Sequence, residues 1–259
     1  MGHLVRLLGH WLRSTLRAGG IDLVRYRPDS VVVPRFLCPS GHKLFDFRQE
    51  PGFAEVADEI VSQGRTTLDH NRLFVLWQAI RNTRPAEGDI AEVGSYRGGS
   101  ARFLAVAAAQ MGWDPILHVM DTFTGHPESA DFKRDGVHVP GLFSDTGVEQ
   151  VTAYLSDLPL VRVRQGRFED TCHEIADRQF ALVHIDVDIY SSTESCLSFF
   201  WPRLSRGGTI VVDDYGFTTC PGLKTAVDEF LMEKRDTVSW YMHTGQMTIQ
   251  RRAAWSGRS

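Results

Sequence analysis

Apolar positions first recur at helical spacing near the start of the chain, in Leu4, Leu7, Leu8, Trp11 and Leu12, with Arg6, Arg13 and Arg17 interspersed. Positions three and four apart share a helical face, so this reads as a short amphipathic helix. Pro28, Pro34, Pro39 and Pro51 keep the stretch 20–52 irregular, with Val31, Val32 and Val33 as a short strand within it. At Phe53 the pattern changes. Over 66–81, Leu68, Leu73, Leu76, Trp77 and Ile80 fall on one side of a predicted helix. Extended and helical periods then alternate. Strands are predicted at 89–93, 116–120, 161–164, 180–185 and 209–212. Helices are predicted at 100–111, 148–155, 193–204 and 222–233, the third of these closing at Gly207-Gly208. Two last extended runs, 238–242 and 247–251, flank Thr244-Gly245 as a hairpin.

Strands alternating with helices predict a doubly wound α/β fold with a mainly parallel sheet covered on both faces. The C-terminal hairpin adds an antiparallel edge. The expected organisation is an N-terminal helix and irregular lid or oligomerisation segment at 1–52, one domain at 53–251, and a flexible tail at 252–259. A second copy is the expected partner of the N-terminal segment, making a homo-oligomer. Residues 1–17 also suit a peripheral membrane contact, since Arg residues interleave the apolar face. The apolar stretch is too short for a membrane span and too broken by charge for a signal peptide. Arg6 stands where a myristoylation signal wants Ser or Thr.

Composition narrows the function. A net charge of -4 supplies no basic field, which argues against nucleic acid as partner. Cys38, Cys172, Cys196 and Cys220 are widely spaced and form no C-x-x-C pair, so no disulfide framework is expected. A reducing compartment, the cytoplasm, fits. Cys38 and His42 are too few donors for a metal by themselves.

The candidate chemistry lies after each strand, because ligands of such sheets bind beyond the carboxyl ends of the strands. The first strand runs into Glu92-Val93-Gly94-Ser95-Tyr96-Arg97-Gly98-Gly99-Ser100. Gly94 lets backbone approach a ligand, and Gly98-Gly99 turn the chain into a helix whose first amides favour a carboxylate or phosphate. The spacing is Gly-x-x-x-Gly rather than the dinucleotide pattern; a tight structural turn reads the same way. After the second strand, Asp121 can accept both hydroxyls of a ribose or cap a turn. Gly166 and Phe168, after the third, can flank an adenine ring; Phe168 also suits the core. Asp186 and Asp188 follow the fourth strand and point the same way in an extended chain. Asp213 and Asp214 follow the fifth. Clustered carboxylates repel one another unless protonated or bound to a cation. A hard divalent ion with oxygen ligands, Mg²⁺ by default, resolves the repulsion; four solvated turn acids are the alternative.

Together these segments resemble the macrocin O-methyltransferase family. The resemblance rests on Glu92-Val93-Gly94-x-Tyr96-Arg97-Gly98-Gly99-Ser100, Asp121-Thr122-Phe123-x-Gly125-x-Pro127, Gly166-x-Phe168-x-Asp170-Thr171, His184-Ile185-Asp186-x-Asp188-x-Tyr190-x-Ser192-Thr193 and Asp213-Asp214-Tyr215-Gly216. Cys220-Pro221-Gly222 and Lys224-x-Ala226-Val227-Asp228-x-Phe230 extend it. The match runs in order over about 53–249; the first fifty residues lie outside it and the insert at 128–141 matches poorly.

The resemblance implies a class I, Rossmann-like methyltransferase fold of seven strands, with S-adenosylmethionine and Mg²⁺ as cofactors. Glu92, Gly94, Ser95, Tyr96, Ser100, Asp121, Thr122, Phe123, Gly166, Phe168 and Asp186 are then the expected cofactor site. Asp186, Asp213 and Asp214 are the implied metal ligands and Asp188 the implied general base. His184, within its strand, is expected to face the core. The expected reaction is methylation of a sugar hydroxyl on a glycosylated natural product or polysaccharide precursor. A catechol-like acceptor is the near alternative. A nicotinamide-dependent oxidoreductase is the rival of another class, disfavoured because it has no use for four clustered acids.

Overall fold

A computed structural model describes residues 46–128 and 130–252. The chain divides into two units, Met1–Gln49 and Glu50–Ser259, and the fold below is that of the second. The expected N-terminal helix, the strand at 31–33, the Cys38–His42 pair and the tail beyond Arg252 lie outside the described residues.

Two helices come first, α1 (Phe53–Ser62) and α2 (His70–Thr83). The sequence marks only a change of pattern at Phe53, whereas the structure places a complete helix there. It buries Phe53, Val56, Ala57 and Ile60. The second helix starts at His70 rather than near 66, because the Asp69 side chain accepts the Arg72 amide as an N-cap.

The alternating part follows: β1 (Asp89–Val93), α3 (Gly99–Gln110), β2 (Leu117–Asp121), α4 (Phe132–Asp135), α5 (Val148–Tyr154), β3 (Val161–Gln165), α6 (Phe168–Thr171), β4 (Phe180–Ile185), α7 (Tyr190–Phe200), β5 (Leu204–Val212), α8 (Pro221–Glu233), β6 (Thr237–Tyr241) and β7 (Met247–Arg251). The seven strands form one sheet in the order β3-β2-β1-β4-β5-β7-β6. The first five in that order are parallel; β7 pairs antiparallel with β5 and β6. The hairpin therefore inserts its second strand beside β5 and leaves β6 at the edge.

One boundary differs for a local reason. The helix expected at 193–204 runs from Tyr190 to Phe200, and a 3₁₀ turn at Trp201–Arg203 follows. Pro202 lacks an amide hydrogen and stops the helix. The chain is already in β5 at Leu204, so Gly207-Gly208 lies inside a strand rather than at a helix end. A Cβ on Gly208 would meet the Ala181 carbonyl oxygen at 2.8 Å, so the neighbouring strand requires glycine there.

Every residue of β4 is buried, as a central parallel strand requires. Phe53 meets Phe74, Trp77 and Phe103 edge-on in one aromatic cluster. Phe180, Phe200 and Phe168 form a second. Among the described residues no helix is long and apolar enough to cross a membrane. Strand order reverses between β1 and β4, and such a switch point opens a crevice at the carboxyl ends of the strands.

Candidate active site

Gly94 marks where that crevice is tightest. Its φ is 89°, and a Cβ there would lie 1.9 Å from the Asp186 carbonyl oxygen. The exits of β1 and β4 thus touch backbone to backbone, and the Asp186 amide donates to the Val93 carbonyl at 2.9 Å. Asp121 at the end of β2 ties the neighbouring loops together. One carboxylate oxygen accepts the Tyr96 amide and the other the Phe123 amide, both at 2.7 Å. Burial raises its pKa. A carboxylate offers about four acceptor positions, so capacity remains for a ligand's hydroxyls.

A cavity opens over these loops. Of the residues expected to hold a cofactor, Gly94, Tyr96, Asp121, Thr122, Gly166, Phe168 and Asp186 line it. Glu92, Ser95, Ser100 and Phe123 do not; they are buried behind its wall. Phe168 has both roles left open by the sequence, since it lines the cavity and packs on Phe199 and Phe200. Glu92 Oε2 and Ser95 Oγ are buried with no hydrogen-bond partner among the described residues.

The acids gather on the other side of the switch point. Asp186, Asp188 and Asp214 line the cavity, and Asp213 is wholly buried beneath it. Strand alternation is not what aligns Asp186 with Asp188, contrary to the extended-chain reading. β4 ends at Ile185, Asp188 has φ 62°, and the Ile189 amide bonds back to the Val187 carbonyl at 2.7 Å. A sharp turn, not an extended run, brings the two together. Asp188 and Asp214 are both non-glycine residues with left-handed backbone, as are Tyr96 and Phe123. Such strain concentrates at functional sites.

Arg72 is the residue that sequence reasoning missed. Its Nη1 bridges Asp213 at 3.0 Å and Asp214 at 2.9 Å. Nothing local flags an arginine on the polar side of α2, far from the acids in sequence. Gln246, also unforeseen, donates to Asp213 at 3.3 Å. His184 is buried as expected, but between carboxylates: Nδ1 is 2.9 Å from Glu92 and Nε2 3.4 Å from Asp213. Burial opposes its charge, yet these partners push its pKa up to about 10. Asp213 is held low despite burial, by His184 and Arg72. Asp186 goes the other way, raised by burial and by the charges of Asp213, Asp214 and Asp188. Asp188 is raised by burial and by Asp214.

The implied metal trio does not converge as one group. Asp186 and Asp213 come together with His184, and Asp188 and Asp214 with Cys220. Among the described residues no hydrogen-bond donor reaches the Asp186 carboxylate. Above Asp188 sit His126 and His138, whose ring nitrogens lie 3.5 and 3.7 Å from Oδ2. The Tyr190 hydroxyl donates to Glu229 at 2.7 Å. The insert is closed at its neck by His126 N to Leu142 O and Gly141 N to His126 O, each 2.9 Å, which brings Leu142 and Phe143 to the cavity.

Residues 47–240 match the model of the Macrocin-O-methyltransferase (TylF) family. The chain belongs to that family. It is 31% identical over 207 residues to demethyldecarbamoylnovobiocin O-methyltransferase of Streptomyces niveus, a match covering 74% of this chain and 78% of the relative. It is 34% identical over 143 residues to the 8-demethyl-8-(2,3-dimethoxy-alpha-L-rhamnosyl)-tetracenomycin-C 4'-O-methyltransferase of Streptomyces olivaceus. That match spans 51% of this chain and 55% of the relative, little more than half its length. Among solved structures, the O-methyltransferase NovP superposes with a TM-score of 0.62 at 27% identity, covering 73% of this chain and 82% of that one. The switch-point crevice and the acids beside it fall within the segment matched to the macrocin O-methyltransferase family, as does Arg72.

Proposed function

We propose that the chain transfers a methyl group from S-adenosylmethionine to a sugar hydroxyl of a glycosylated small molecule, assisted by a divalent cation, Mg²⁺ by default. One observation carries the reading: Asp186 presents a carboxylate that no donor among the described residues reaches, among three other acids, at the wall of a cavity that Gly94 and Asp121 also line. The name of one relative, which specifies 4'-O-methylation of a rhamnosyl-tetracenomycin, supports the sugar acceptor.

The residues fit S-adenosylmethionine. Asp121 has free acceptor capacity for ribose hydroxyls, and Gly166 and Phe168 flank the same end of the cavity. Glu92 Oε2 and Ser95 Oγ, without a partner among the described residues, are buried behind the cavity wall on either side of Gly94 in sequence. The donor set also fits a hard cation, because oxygen ligands dominate it. Arg72 already neutralises Asp213 and Asp214 in part, which leaves Asp186 as the ligand with most to gain from a cation. When bound, S-adenosylmethionine supplies an electrophilic methyl on a sulfonium. When bound, the cation lowers the acceptor's pKa.

The chain's own contribution is placement and proton transfer. Asp188 would take the proton that the acceptor hydroxyl loses on methylation. Burial and Asp214 raise the Asp188 pKa, making it a stronger base than an exposed carboxylate. Leu142 and Phe143 give the cavity an apolar wall.

The test is methyl transfer to a panel of deoxysugar glycosides, with S-adenosylmethionine and NAD⁺ titrated separately by calorimetry. The expected result is binding of S-adenosylmethionine alone, with turnover abolished by EDTA and restored by Mg²⁺. Full turnover in EDTA overturns the cation's role, and binding of NAD⁺ instead overturns the reaction.

A further inference from the structure

We propose that His126, His138 and Asp188 form a second metal site, separate from the acid pair Asp186–Asp213, that takes a transition ion of the zinc class. His126 Nε2 and His138 Nδ1 are 3.0 Å apart, and Asp188 Oδ2 lies 3.5 and 3.7 Å from them. An ion with bonds of about 2.0–2.1 Å in tetrahedral geometry holds its ligands about 3.3 Å apart. The triangle already has edges of that size. Two imidazoles and one carboxylate suit Zn²⁺, Co²⁺ or Ni²⁺ better than Mg²⁺.

The surroundings aim these atoms inward. His138 Nε2 is 3.2 Å from Cys220 Sγ, which engages the far side of the ring and leaves Nδ1 facing Asp188. Metal-binding histidines characteristically have such an outer partner. Burial lowers both histidine pKa values, His126 to about 4, so the rings are in the neutral form that binds metals. His126 is fixed by the neck of the insert. His138 follows Asp135, whose buried carboxylate accepts the Asp131 and Tyr190 amides at 2.9 and 2.8 Å. The Phe143 ring packs edge-on against His126 at 5.5 Å. His126 and Asp188 line the cavity, so a fourth coordination position faces the acceptor.

Occupation of this site engages Asp188 as a ligand. On the reading of Asp188 as the base, zinc-class ions therefore inhibit methyl transfer while Mg²⁺ supports it. The binding claim stands apart from that reading and is tested without substrate. Co²⁺ is titrated into the protein with excess Mg²⁺ present. The expected result is one equivalent with tetrahedral ligand-field bands in the visible, displaced by Zn²⁺, and without a thiolate charge-transfer band. His126→Gln and His138→Gln, made separately and checked for native circular dichroism, should each weaken Co²⁺ by about tenfold or more; Asp213→Asn should not. Absent bands, bands retained in a folded histidine variant, or bands lost in Asp213→Asn overturn the site. A thiolate band assigns the ion to Asp188, Asp214 and Cys220 and overturns it too. Zn²⁺ leaving turnover unchanged despite a confirmed cobalt spectrum overturns the inhibitory role alone.

Discussion

Asp186 and Asp188 stand two positions apart, but their neighbours give them different work. Asp186 meets no donor among the described residues and three like charges, which suits the proposed cation ligand. Asp188 sits under two neutral imidazoles and beside Asp214 and receives a rise in basicity. Asp188→Asn is expected to lower kcat by roughly 10²–10⁴-fold while S-adenosylmethionine affinity stays within a few-fold. Calorimetry and steady-state rates on one preparation check this, and loss of cofactor binding would remove Asp188 from the role of base. Arg72 gives a second prediction at this scale. Its guanidinium shares the wholly buried Asp213 with His184, and breaking such a buried pair from one side costs at most about 3–5 kcal/mol. Arg72→Met is expected to lose up to that much in urea unfolding without metal and to recover part of it with Mg²⁺. A variant as stable as the parent would show that Asp213 is held by His184 and Gln246 alone.

At the scale of elements, the site is a set of strand exits pinned to one another. Gly94 is the tightest of them. Both its positive φ and the 1.9 Å approach to Asp186 exclude a side chain. Gly94→Ala is expected to push β1 and β4 apart at their carboxyl ends. It should lower thermal stability and S-adenosylmethionine affinity together, as seen by calorimetry and a melting curve. Lost affinity with an unchanged melting curve would mean that the glycine serves the ligand and not the strand junction. The cap on α2 is coupled to the same site, because Asp69 sets where the helix begins and so where Arg72 stands. Helix period was readable in 66–81, but the boundary depended on one side-chain hydrogen bond. The same holds for β5, where Gly207-Gly208 looks like a helix stop and serves a strand instead.

For the whole molecule, the clustered charge makes stability depend on pH and, on the proposed function, on metal. The Asp186 and Asp188 pKa values are raised in the metal-free fold, so their favourable contribution is complete below the unfolded value of about 3.9. It is lost as pH rises through the raised folded values. Asp213 has the opposite sign: its value is depressed, and its contribution disappears only as pH falls below the usual carboxylate range. On the proposed function, a cation would bind the ionised Asp186 carboxylate and relieve the repulsion around it. The melting temperature gained from Mg²⁺ is therefore expected to be larger at about pH 8 than at about pH 5. Equal gains at both would count against Asp186 as the cation's ligand. The sequence by itself determined the strand and helix alternation, the parallel sheet and the hairpin, because those follow from hydrophobic period and turn chemistry within short windows. It also placed the acids at strand ends, since each pair directly follows an apolar run. The tertiary structure alone decided which acid meets which cation. Arg72 reaches Asp213 across 141 positions of sequence, His184 across 29, and the His126–His138 pair stands on Asp188 through a folded insert. Such partners are set by which strand exits the sheet order brings together, and no local pattern encodes that order.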